Sequence, residues 1–294
     1  MITVFTSTYN RAKLLSRLYR SLISQVYQNF EWLIVDDGST DQTRDLVSLW
    51  QAEGKVSIRY VKQAHGGKHR AINKGVQIAK GEWFFIVDSD DYLPADSLMW
   101  VCKYANQVRD CQIFAGVVGN RSFLNGKKRD KFTYEVLDID SVSFREKLHM
   151  KGDMAEVFKT EVLRKYPFPE FAGENFLTEA MVYNQIARKY KLRYFNQNIY
   201  ICDYLEDGLS MNIRRHHRNS PKGTMLFYSS SMRDNRFGLF HHIKDAINYW
   251  RYTWNHKGAR ILPPWWAWFF YPFGIVVCCY DMRRERFAKT ARRN

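Results

Sequence analysis

The chain has 294 residues, enough to bury a full core in one large domain or two smaller ones. Its 45 Lys and Arg against 30 Asp and Glu give a net charge of +15, which favours anionic partners: nucleotides, nucleic acid or an acidic membrane face. The five cysteines (Cys102, Cys111, Cys202, Cys278, Cys279) are scattered and odd in number, which excludes a zinc spacing or disulfide framework and fits a reducing, cytoplasmic setting.

Strand character begins at once with Ile2–Thr6, so no secretory leader is expected. Leu14, Leu15, Leu18, Leu22 and Val26 recur at helical spacing. Trp32–Val35 is a second strand; Ser39, with Gln42 closing a capping box, is expected to start the next helix. Ile58–Val61 is a third strand. Ala71, Ile72, Gly75, Val76 and Ala79 mark a helix that stops near Gly81, and Trp83–Val87 is a fourth, fully apolar strand. This alternation predicts a mostly parallel α/β sheet with helices on both faces. Beyond it, Ile113–Val118 reads as a strand and 121–140 as a polar loop or hairpin. Glu179–Tyr190 reads as a helix and Arg193–Tyr204 as a strand. From about residue 211 the chain turns basic, aromatic and helical, so the expected division is a domain over 1–210 and a helical region over 211–294.

Chemistry concentrates where strands end. Asp88-Ser89-Asp90-Asp91 follows the fourth strand. Three carboxylates in four residues repel one another unless a hard cation such as Mg²⁺ or Mn²⁺ neutralises them. The plainer alternative is a solvated acidic turn opening a helix. Thr8-Tyr9-Asn10-Arg11 follows the first strand, where a helix N-terminus favours anions or simply caps. Asp36-Asp37-Gly38-Ser39 follows the second. An Asp there can accept from a nucleobase imide or a ribose hydroxyl, or cap a helix. Gly66-Gly67-Lys68-His69-Arg70 precedes a helix and suits a phosphate or nucleoside contact, or a surface loop. All of these fall at one pole of one predicted sheet.

With these motifs in their order, residues 1–205 resemble the family-2 glycosyltransferases of the GT-A fold. The resemblance implies an inverting glycosyltransferase, of hexosyltransferase type, that uses a nucleotide-diphosphate sugar, with uracil the expected base. It implies that Thr8 and Tyr9 line the nucleoside pocket, that Asp37 contacts the base, and that Lys68 lies near the nucleoside or phosphates. Asp88 is expected near the ribose and as a second metal ligand, Asp90 as the main ligand for Mn²⁺ or Mg²⁺, and Asp91 on the catalytic, acceptor side. Inversion requires a base opposite the leaving group. Glu179, in Glu174-Asn175-Phe176-Leu177-Thr178-Glu179, is the expected base where many members carry an acidic pair. Glu174 is the rival, and Thr178 the expected helix cap.

Asp207-Gly208-Leu209-Ser210 and Arg214–Arg218 follow, where His216 or His217 can complete a metal shell or simply be solvated. Nucleic acid is not the expected partner: no finger, helix-turn-helix or RNA-binding aromatic motif occurs. The stretch 261–280 carries no charge but three prolines and many Trp and Tyr, between Arg260 and Arg283, Arg284 and Arg286. That pattern predicts a segment lying in an anionic membrane surface, with a buried hairpin or a dimer interface as alternatives. The sequence therefore leads to a metal-dependent transferase, peripheral at the inner membrane face. Its acceptor is a hydroxyl of a glycan or lipid-linked molecule in surface-polysaccharide synthesis. A non-catalytic nucleotide-sugar-binding scaffold subunit and a nucleotidyltransferase are the competing readings.

Overall fold

The computed structural model describes residues 1–123, 132–150, 152–202 and 213–291, with side chains through Arg284. The expected motif 207–210 lies outside the described residues. The chain divides into two compact units: Met1–Phe168 with Glu179–Gly208, and Pro169–Thr178 with Leu209–Asn294.

The first unit alternates strand and helix: β1 Ile2–Thr8, α1 Ala12–Ile23, β2 Phe30–Asp36, α2 Thr43–Glu53, β3 Ile58–Lys62, α3 Lys68–Ile78 and β4 Trp83–Ile86. It continues with α4 Ser97–Val108, β5 Phe114–Phe123, β6 Val136–Ile139, α5 Ser141–Glu146, β7 Ala155–Lys159, α6 Thr160–Lys165, α7 Ala180–Ile186 and β8 Lys191–Cys202. Among the described residues these strands form one sheet in the order β3-β2-β1-β4-β7-β5-β8-β6. β1 pairs in parallel with β2 and β4, as β2 does with β3. β7 runs antiparallel between β4 and β5, and β8 pairs in parallel with β5 and antiparallel with β6. The sheet is mixed and mostly parallel, as the GT-A fold requires.

Strands buried on both faces explain the uninterrupted apolar runs. Val4, Trp32, Phe85 and Val117 belong to one core cluster with Leu15, Leu18 and Leu22 of α1. On the other face Phe5 stacks on Phe84 with ring centroids 5.0 Å apart. Each of these fully buried apolar side chains stabilises the fold by about 1.5–3 kcal/mol. Val26, expected on the α1 stripe, lies beyond the helix and is 67% exposed. Ser39 does not cap α2. Its hydroxyl accepts from Asn10 N, while Asp41 Oδ1 takes the Thr43 N–H. Asp41 sits closer to the helix, which begins only at Thr43, and an ionised carboxylate is the stronger acceptor.

The second unit holds α8 Ile213–Asn219, α9 Pro221–Ser231, α10 Leu239–Thr253, a 3-10 helix Trp265–Phe270 and α11 Tyr271–Ala291. Its core contains Met225, Tyr228, Tyr249, Trp250 and Ala267. Gly274 lets α11 approach α10, since a Cβ there would meet Trp250 Cβ at 2.4 Å. Buried Asp281 gathers Arg214, Arg218 and Arg251. The segment Pro169–Thr178, expected in the first domain, belongs to this unit for a clear reason. Glu174 accepts from Lys222 N and Gly223 N at 2.8 and 2.9 Å, satisfying otherwise open amides of α9. Glu174 is thus a helix cap, which removes it as the rival base.

Candidate active site

Chain order reverses between β1 and β4: from β1 the sheet grows one way to β2 and β3, then resumes on the other side with β4. In open α/β sheets the crevice beyond the strand C-termini at such a point receives the ligand. Thr8 closes β1, and Asp88 follows β4 by two residues.

The loops after β1 and β2 are tied together. Asn10 adopts a left-handed backbone at φ 52, which places Oδ1 to accept from Thr40 N at 2.8 Å and Asp41 N at 3.3 Å. Ala12 N donates to Asp41 Oδ2 at 3.1 Å. Thr8 is buried, and its hydroxyl has no hydrogen-bond partner among the described residues. Tyr9 is exposed and stacks on His65, ring centroids 4.3 Å apart at 26°.

Asp37, expected at the base, is held by its own loop. Its Oδ1 accepts from Gln63 Nε2 at 2.8 Å and Gly66 N at 2.9 Å. Its Oδ2 accepts from Gly67 N at 2.7 Å and pairs with His65 Nδ1 at 2.9 Å. A carboxylate has about four acceptor positions. These contacts engage both oxygens, so this buried Asp shapes the 63–67 loop. Gly67, at φ 94, supplies the turn that opens α3 and presents Lys68.

Lys68 joins the key carboxylates. Its Nζ pairs with Asp88 and with Glu179 Oε1, the latter at 2.7 Å. Burial disfavours the ammonium, but the Asp88 and Glu179 charges overcome this and raise the Lys68 pKa. Burial likewise disfavours the Asp88 carboxylate, and Lys68 and Arg121 outweigh it, holding the carboxyl below its ordinary range. Glu179 is the residue before α7 and receives a 3.4 Å contact from Tyr183 Oη. Thr178, the expected cap, belongs to the other unit, and Glu179 itself occupies the cap position.

The acidic turn is held by Tyr200 of β8. Its hydroxyl accepts from Asp88 N at 2.9 Å and donates to Asp91 Oδ2 at 2.8 Å. Arg121, the cross-strand partner of Tyr200, lies 4.2 Å over its ring. Asp91 is 7% exposed. Expected as a catalytic residue, it is instead a buried anchor for the turn. Asp90 differs from both neighbours: Arg17 binds its backbone carbonyl, while burial and the adjacent Asp88 push its carboxyl up.

Among the described residues no group of three or more His, Cys, Asp or Glu converges as a metal cage. The donor set nevertheless suits a cation that brings its own oxygen ligands. Asp90 carries an electrostatically crowded carboxylate, with Asp88 beside it, and Mg²⁺ or Mn²⁺ commonly takes one or two carboxylates plus phosphate oxygens and water. His217 does not look like a ligand. It is buried among Phe176, Tyr228 and Tyr252, its Nδ1 lies 3.1 Å from Thr224 Oγ1, and burial lowers its pKa to about 4. His216 stacks on Phe176.

Sequence reasoning missed His65, Arg121, Tyr183 and Tyr200. His65 directly precedes the glycine pair, which was a usable signal. The other three depend on strand register or helix docking and carry no local motif.

Comparisons with known proteins agree with this architecture. The profile described as Glycosyl transferase family 2 matches residues 3–167. The glycosyltransferase GlyG of Streptococcus pneumoniae is 28% identical over 68% of this chain and 70% of its own length. GlyA from the same organism is 26% identical over 68% of this chain, which spans only 28% of GlyA. Poly(ribitol-phosphate) β-N-acetylglucosaminyltransferase TarS of Staphylococcus aureus is 34% identical over 33% of this chain and 17% of its own. A TarS 1-349 structure in complex with UDP-GlcNAc aligns at TM-score 0.57 and 18% identity, covering 84% of this chain and 71% of that one. Mannosyltransferase PcManGT of Pyrobaculum calidifontis, in complex with GDP-Man and Mn²⁺, aligns at TM-score 0.56 and 18% identity, covering 99% of this chain and 79% of that one. With the switch-point site and the family profile covering more than half of its length, the chain belongs to glycosyl transferase family 2.

Proposed function

We propose that this chain moves a sugar from a UDP-sugar to a hydroxyl of a glycan or lipid-linked acceptor, with inversion at the anomeric carbon. The observation that carries the reading is the Lys68 bridge between Asp88 and Glu179 beside the crowded carboxylate of Asp90. It brings a cationic group, a metal-type carboxylate and a candidate base to one strand-end crevice. Mn²⁺ or Mg²⁺ held by Asp90 and Asp88 would supply charge neutralisation for the diphosphate. Lys68 adds a fixed positive charge for the leaving group. Glu179 accepts the acceptor's proton, and Lys68 and Tyr183 fix its orientation. The exposed Tyr9 ring, next to Thr8 at the end of β1, suits a nucleoside. The UDP-GlcNAc of the TarS structure and the Mn²⁺ of the mannosyltransferase structure support a nucleotide-sugar donor and a divalent cation. The setting is surface-polysaccharide synthesis at the inner membrane face, in keeping with the basic aromatic tail.

The test is a panel of UDP- and GDP-sugars, with and without Mn²⁺, read by calorimetry and by transfer or donor hydrolysis. UDP-selective, metal-dependent binding that Asp90→Asn weakens at least tenfold is expected. Undiminished binding and turnover in Asp90→Asn would overturn the site. Binding with no turnover on any acceptor would favour the scaffold reading.

A further inference from the structure

The second unit exposes an apolar face that a water-facing surface does not need. Trp265, Phe269, Phe273 and Val276 are 76%, 72%, 59% and 68% exposed, and Tyr280 continues the line at 64%. Phe273, Val276 and Tyr280 recur at helical spacing along one side of α11, and in the 3-10 helix before it the Trp265 ring lies 6.2 Å from that of Phe269. The opposite side is spoken for: Ala267, Cys278 and Asp281 are buried within the unit. Phe240, near the N-terminal end of α10, is 88% exposed as well. Nothing in the sequence pattern had pointed to Phe240.

We propose that the second unit docks on an anionic lipid bilayer through this aromatic face, with the 3-10 helix and α11 lying in the plane of the interface. The inference deepens the membrane setting given under Proposed function and rests on it for location only. Three observations favour lipid over other occupants. Trp and Tyr have an apolar body and a polar tip, which suits the headgroup boundary. Exposed Arg283 and Arg284 continue α11 beyond Tyr280, and the sequence from Lys257 to Asn294 holds eight Lys or Arg against two Asp or Glu. Such a basic segment complements acidic headgroups. A second copy of the chain would instead bring the same basic segment against itself in a two-fold pairing. No described helix is long and apolar enough to cross a membrane, so the exposed face is placed at the surface of the bilayer.

The test uses the full chain with vesicles of phosphatidylcholine alone and of phosphatidylcholine with phosphatidylglycerol. Wild type should co-sediment with the anionic vesicles at least tenfold more tightly than with neutral ones, less so as salt rises. The triple variant Phe269→Ser, Phe273→Ser, Val276→Ser should lose on the order of 100-fold in partitioning, from the apolar area withdrawn. These side chains are exposed, so its thermal midpoint should hold. Arg283→Glu with Arg284→Glu should remove the anionic preference. Equal vesicle binding by wild type and the triple variant would overturn the proposal. So would a wild type that binds no vesicles, or that forms a dimer which the triple variant abolishes. UDP binding measured on the same proteins separates the two readings: vesicle binding without nucleotide binding would sink the proposed function and leave this surface standing.

Discussion

Lys68 Nζ lies 2.7 Å from Glu179 Oε1 while also pairing with Asp88, so one cation ties the start of α3 to the acidic turn and to the entry of α7. Glu179→Gln keeps the shape of the side chain and removes its ability to take a proton. Transfer should fall by about 10²–10⁴-fold, the usual contribution of a general base. Donor affinity, measured by calorimetry, should change far less. Lys68→Met should lower both, because it removes a positive charge from the diphosphate side as well.

Asp37 predicts a different phenotype. Asp37→Ala frees the amides of Gly66 and Gly67 and releases His65 and Gln63. Nucleotide affinity should drop because the loop that presents Lys68 is no longer held. Stability should fall by about 1–3 kcal/mol, the usual result of stranding buried hydrogen-bonding groups. Urea unfolding and nucleotide titration on the same variant check both outcomes.

Tyr200→Phe deletes one oxygen that serves two partners, Asp88 N and Asp91 Oδ2. The aromatic packing with Arg121 is retained, so the loss isolates the hydroxyl. Again about 1–3 kcal/mol is expected from the buried carboxylate left short of a donor. Metal-dependent donor binding should weaken in parallel, since the turn bearing Asp90 loses its clamp.

Glu156 sets a pH dependence. Burial pushes its carboxyl up from 4.5 to about 7, against the pull of Arg121 and Arg145. A carboxyl whose folded pKa exceeds the unfolded value adds stability below the unfolded pKa and loses it as pH rises through the folded one. The window is therefore pH 4.5 to about 7. At about 1.4 kcal/mol per unit the change is on the order of 3 kcal/mol. Glu156→Gln should flatten the profile and make the protein more stable than wild type at pH 8. Denaturant midpoints across that range would show it.

The sequence exposed those parts of the fold that depend on local periodicity. Val4, Trp32 and Phe85 lie in buried strands because apolar runs bounded by turn residues have little choice. The site residues at strand ends were legible for the same reason: topology delivers Thr8, Asp37 and Asp88 to one pole. What each carboxylate does there was not legible. Asp37 and Asp91 look like their neighbours in the sequence, yet both are held by partners distant in sequence. The antiparallel wedge of β7 had no local signature, because a short strand pairs by register with whatever flanks it. Glu174 and Glu179 are five positions apart in one acidic stretch, and only packing assigns one to a helix cap and the other to Lys68.

The Tyr200 clamp also has a bearing on how the protein matures. Asp88 and Tyr200 are 112 residues apart, and β8 lies beyond the end of the family-matched segment at residue 167. A nascent chain can assemble β1 to β4 early, but its acidic turn stays unclamped until the ribosome has delivered β8. Long-range closure of this kind is slow. The acidic turn of the first unit therefore depends on a contact that only the last strand in its sequence supplies.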